Sequence, residues 1–185
     1  MSDFEFLSVL VSIVIGLGLT HLLASFGSAF YSKTLNRMDA AHIAWTVTIF
    51  FILVLNWWVF LLWREFDNWN FATFFLVVIW TTAMYMLTII LYPPNLPDDA
   101  NYRDVFEQNR SWFLISFVVM CLLDMLISGL RDGRLPDTFY LVFVGHYALV
   151  ALVGVFVCKR WYDLGAALYI STTMVLWSFI VRHTV

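Results

Sequence analysis

The chain has 185 residues, 62% of them hydrophobic and 12% charged, with a formal net charge of −3, whereas soluble domains carry about 25% charged residues. A mean hydropathy of +0.84 leaves too little polar surface to cover a water-soluble fold, so the lipid bilayer is the expected partner. The acidic balance offers no basic stripe to nucleic acid, and two cysteines, Cys121 and Cys158, provide neither a disulfide framework nor a CxxC metal motif.

A helix needs about 20 apolar residues to cross the hydrocarbon core, and six runs meet that length. The expected fold is an all-α, polytopic transmembrane helical bundle, one domain over 1–185. The first span, 7–30, follows Asp3 and Glu5. A secretory signal opens on Lys or Arg and has a shorter apolar run, so this segment is expected to remain in the mature protein. Along it Ser8, Ser12, Gly16, Thr20, Ala24 and Ser28 recur every four residues. Such a small-residue ridge lets helix backbones approach closely in lipid. It is read as packing against another helix of the same chain or of a second copy, which makes a homo-oligomer the expected assembly. "GLGLTHLL" in this span holds His21, and its "GLG" follows no strand, so it is no nucleotide fingerprint.

The second span, 41–63, carries Asn56 before Trp57 and Trp58, and "REFDN" after it reads as a solvated turn. His42 sits at its start, where titration is ordinary. The third, 71–92, stops at Pro93-Pro94, which cannot continue a helix. In the connection "PDDANYRDVFEQNRSWF", Tyr102, Val105 and Phe106 share a face at helical spacing, which predicts an amphipathic turn or two. The fourth span, 111–130, contains one charge, Asp124. The fifth, 138–158, follows the start signal Pro136-Asp137 and carries His146. The sixth, 164–181, is the shortest. A strand reading fails because the runs lack period-two alternation and are twice too long for barrel strands.

Six spans place both termini on one side. Arg64, Arg131, Arg134 and Arg182 fall on that side, and Lys33, Arg37, Arg103, Arg110, Lys159 and Arg160 on the other. With Asp3 and Glu5 before the first span and Lys33 and Arg37 after it, the positive-inside rule predicts both termini outside the cytoplasm. Trp45, Trp112 and Trp161 near one interface and Trp63, Trp69 and Trp177 near the other fit aromatic belts.

At about 1.5 Å per helical residue, Asn56, Asp124 and His146 lie roughly 9–12 Å below the outer boundary. An ionised Asp facing lipid costs about 2.5–3.5 kcal/mol, so Asp124 must be paired, protonated or hydrated. His146 is the expected partner by depth, and the two are predicted to share one polar pocket. Ser116 and Ser128 extend a polar stripe from Asp124, and Tyr140 and Tyr147 recur at a seven-residue spacing beside His146. His21, deeper along the first span, reads either as a second station on a path toward the cytoplasm or as a satisfied interhelical hydrogen bond. Asn56 reads as helix glue.

The sequence holds no HExxH, GxSxG, P-loop or CxxCH pattern and no pair of carboxylates within the spans, which leans away from an enzyme. No cofactor is predicted. A haem between His21 and His146 would need both at one level, and they differ by about 9 Å. "SIVIGLGLTHLL" and "YRDVFEQNRSWF" resemble a loose group of small, uncharacterised bacterial inner-membrane proteins. That resemblance implies a bacterial inner membrane and carries over no active-site residue. Three functions follow from the residues themselves: proton or small-cation translocation through an oligomeric bundle around Asp124 and His146, a structural or regulatory membrane subunit, and a redox module holding haem or quinone.

Overall fold

A computed structural model describes residues 3–31, 39–94 and 101–180. Six helices follow one another: α1 (Asp3–Tyr31), α2 (Ala40–Val59), α3 (Phe71–Leu91), α4 (Tyr102–Asp132), α5 (Thr138–Val157) and α6 (Arg160–Ile180). Lys33, Arg37, Arg182 and His183 lie outside the described residues. Five helices, α1 to α5, are long and apolar enough to cross a membrane. The molecule is an all-helical integral membrane protein.

Local chemistry sets the boundaries. Asn70 caps α3 by accepting from the Thr73 N–H at 3.0 Å, and Asp137 accepts from the Phe139 N–H at the start of α5. Both satisfy donors that have no partner inside the helix. α4 ends at Gly133, whose φ of 61° is the left-handed conformation that terminates helices cheaply. α2 tightens into a 3-10 segment, Phe60–Glu65. The main departure from the sequence reading is the start of α4. The expected amphipathic turn is the first part of that helix, which begins at Tyr102 with Asn101 as its cap.

Around the bundle the helices run in the order α1, α3, α4, α5, α6, α2 and back to α1, and α2 also leans inward onto α3 and α4. α6 lies alongside α2 over the same height. Arg160 pairs with Asp39 at one end, Thr48 donates to the Ala167 carbonyl midway, and Trp177 meets Asn56 and Val59 around a cavity at the other end. Arg160 and Asp163 at its start and Ser171-Thr172-Thr173 in its middle make α6 more polar than α5, and over its described residues it is not among the helices apolar enough to cross a membrane.

The seam of α1 is not its small-residue ridge. Leu7, Val11, Ile15, Gly18, Leu22 and Ala29 are buried, a three-and-four spacing that turns one stripe inward. On the ridge, Ser8, Ser12 and Gly16 are half-exposed and Thr20, Ala24 and Ser28 are exposed. Ser12 accepts from the Trp57 indole at 3.1 Å. A Cβ added at Gly16 would meet nothing within 4 Å, whereas one at Gly18 would sit 3.5 Å from Leu53 and 3.7 Å from Thr88. The close approach within the chain is therefore at Gly18, and the ridge is not the seam along which α1 packs on α2 and α3. Gly18→Leu is expected to destabilise the protein by about 1–3 kcal/mol through overpacking, and Gly16→Leu to leave the protomer unchanged. Thermal unfolding in detergent checks this, and equal melting temperatures for the two variants would refute it.

Candidate functional site

Periodicity on α4 and α5 builds the site. Phe117, Met120/Cys121, Asp124 and Ser128 recur at steps of three and four, as do Tyr140, Phe143/Val144 and Tyr147, so each helix presents one face to the other. With Asn56 and Ile52 of α2 and Met174 and Trp177 of α6, these faces enclose a cavity of about 130 Å³. It lies at the end of the bundle that carries the start of α1 and the end of α6. Its rim is the α4–α5 turn, where Arg131 pairs with Asp132 at 2.8 Å and Asp137 borders the opening. Its deepest lining residues are Ile52, Phe117, Tyr147 and Ile170.

Asp124 sits midway. Tyr140 donates its hydroxyl to Asp124 Oδ2, and Ser128 donates to the Tyr140 oxygen at 3.1 Å. A chain of hydroxyls thus runs from the carboxylate one helical turn toward the rim. The Trp80 indole of α3, buried and without a well-aligned hydrogen bond of its own, approaches the same carboxyl. Asn56 borders the cavity while its amide donates to the Ile52 carbonyl at 2.8 Å.

The structure brings Asp124 and Asn56 together and leaves His146 aside. His146 Nδ1 lies 3.2 Å from the Val142 carbonyl of its own helix, Nε2 is buried without a partner, and the ring packs against Phe143, Tyr147 and Tyr169. The predicted Asp124–His146 pairing is therefore replaced by Asp124–Tyr140. The reason is azimuth: His146 is six residues after Tyr140, about 120° around the helix from the face that Tyr140 and Tyr147 share. Ser116 is half-buried and does not border the cavity.

His21 lies toward the other end of the bundle. Its Nε2–H donates to the Tyr92 carbonyl at 2.8 Å, and His42 Nε2–H donates to the neighbouring Leu91 carbonyl at 2.9 Å. Pro93-Pro94 ends α3, and the last carbonyls of a helix have no partner within it. Two imidazoles from α1 and α2 supply those donors and place polar hydrogens at the negative end of the helix dipole. His42 is not at a titrating surface: it is fully buried, with Tyr92 edge-on at 4.6 Å, and Tyr92 in turn bonds Thr46 at 2.9 Å.

A second polar cluster closes that end. Arg110 is buried and donates to Asp163 Oδ2 at 2.7 Å and to the Gly154 carbonyl at 2.6 Å, joining α4, α6 and the end of α5. Between this cluster and the cavity, Trp45 is fully buried with its ring 5.0 Å from Phe113 and 5.6 Å from Phe117. The cavity is a one-ended vestibule with an aromatic floor.

His42, Arg110 and Asp163 were missed from the sequence as structural groups. The signal for two of them was present. His42 falls on the stripe of Trp45, Thr46, Ile49 and Leu53, and Arg110 on that of Phe106, Phe113 and Phe117. A polar residue on an inward stripe must have a buried partner.

These features define a helical membrane protein with a carboxylate bordering a vestibule near one end of the bundle. Comparisons with protein-family models, with curated proteins and with solved structures returned no match.

Proposed function

We propose that the protein admits a proton or small cation from one membrane face to the carboxylate of Asp124, as the access half of a translocation path in a homo-oligomer of the bacterial inner membrane. The observation that supports this most is the placement of Asp124 at mid-depth in a cavity reached from the rim, with Tyr140 and Ser128 as a hydroxyl relay. A buried intramembrane acid is costly and marks ion pathways more often than apolar packing. On the charge contrast across α1, the vestibule opens outside the cytoplasm.

The test is flux in proteoliposomes under an imposed proton gradient. Asp124→Asn keeps the shape and accepts the Tyr140 hydroxyl while removing the titratable acid. The variant is expected to retain its melting temperature and to lose proton flux at least tenfold. Undiminished flux in Asp124→Asn would sink the assignment.

The aromatic floor favours a second reading, in which the protein is a structural or regulatory membrane subunit and the vestibule serves packing. Wild-type flux no greater than that of protein-free liposomes would select it.

A further inference from the structure

We propose that the vestibule binds a compact hydrophobic cation, an aryl- or alkylammonium, with its charged head at Asp124 and its apolar body against the deeper walls. This rests on the reading of Asp124 as a cation site and adds the class of cation. Three features of the lining carry it.

The first is charge. Among the described residues, the cavity borders hold the carboxylates of Asp124, Asp132 and Asp137 against one cation, Arg131, which is already engaged by Asp132 at 2.8 Å and 3.3 Å. An anionic ligand would meet repulsion at the rim and again at mid-depth. A neutral ligand would displace water from the Asp124 carboxylate and offer it no counter-charge, leaving a desolvated polar group unsatisfied.

The second is the wall. Phe143, Tyr147 and Trp177 border the space beside Asp124, and Phe143 and Trp177 stack with ring centroids 5.3 Å apart. Aromatic faces attract ammonium groups, most strongly where water is excluded. Met120 and Met174 complete the apolar part, and thioether side chains adapt their shape to irregular ligands. A bare metal ion finds little here: among the described residues, no three His, Cys, Asp or Glu side chains gather to coordinate one.

The third is size. A cavity of about 130 Å³ is slightly smaller than one of roughly 150 Å³ known to accept benzene. The occupant is therefore a cation no larger than benzene, such as cyclopentylammonium, and a ring bearing a trimethylammonium head is too large.

The experiment is calorimetric binding of cyclopentylammonium to the protein in lipid nanodiscs, with empty nanodiscs subtracted. Its neutral isostere, methylcyclopentane, serves as the comparison. Saturable binding of the cation is expected, at least tenfold tighter than that of the isostere. Asp124→Asn, checked for an unchanged melting temperature, is expected to weaken it at least tenfold. Equal affinity for the isostere would overturn the inference without any variant, and so would undiminished cation affinity in Asp124→Asn. Asp124-dependent proton flux with no saturable cation binding also overturns it, while the proton reading stands. Cation binding without wild-type flux upholds it, while translocation falls.

Discussion

Arg110→Met is expected to produce the largest loss of stability of any single substitution at the ends of the helices. The guanidinium is the shared partner of Asp163 on α6 and of the Gly154 carbonyl near the end of α5. Both side chains of the pair are almost wholly removed from the surface. Asp163 Oδ1 already lacks a partner, so removing Arg110 strips the carboxylate of its remaining bond and its counter-charge. Breaking a buried pair from one side costs about 3–5 kcal/mol, because the surviving charge is left uncompensated. Met fills much of the same volume, so the loss reports charge rather than packing. The double substitution Arg110→Met with Asp163→Leu removes both charges and is expected to recover most of the stability. Thermal unfolding of the two proteins in detergent decides the matter. A double variant no more stable than the single one would show that the pair is not the source of the loss.

Trp45→Ala is expected to act on both stability and permeability. Trp45 is fully buried and meets Phe113 and Phe117 edge-to-face, and Phe117 also forms part of the cavity floor. Truncating a buried Trp to Ala costs about 3–5 kcal/mol in well-packed cores, and the dispersion attraction that the indole supplies acts in a bilayer as it does in water. The void it leaves lies directly beneath the vestibule. On the translocation reading, the variant is expected to leak protons in liposomes at a rate above wild type, since the floor is what separates the vestibule from the far half of the bundle. Trp45→Phe retains an aromatic plug and is expected to fall between the two. A leak no greater than wild type in a folded Trp45→Ala protein would argue that the floor is closed by other groups as well.

The difference between depth and direction runs through the site. Depth along a helix follows from counting residues, and that count put Asn56 and Asp124 at one level, where they border the same cavity. It also put His146 there, and His146 turns away. The seven-residue repeat of Tyr140 and Tyr147 held the better information, because two full turns return a side chain to one face. The α1 ridge behaves in the same way. Its four-residue repeat of small residues is the more regular pattern, but the large residues Leu7, Val11, Ile15 and Leu22 turn inward, with Gly18 between them. Where a helix can pack by its larger side chains, more contact area is gained there than along a row of serines.

By itself the sequence determined that the chain is a helical membrane protein, where its long apolar runs lie, and that Asp124 needs a partner within the membrane. These follow from composition, length and the cost of a lone charge in lipid, none of which depends on which helix stands next to which. Only the tertiary structure decided the neighbours: Tyr140 for Asp124, the end of α3 for His21 and His42, and Asp163 with Gly154 for Arg110. The order of helices around the bundle places α4 beside α5, and α1 and α2 at the end of α3. In a bilayer any apolar face can turn to lipid without penalty, so hydrophobicity leaves that order open, and close packing together with the need to satisfy polar groups at helix ends and interiors selects it.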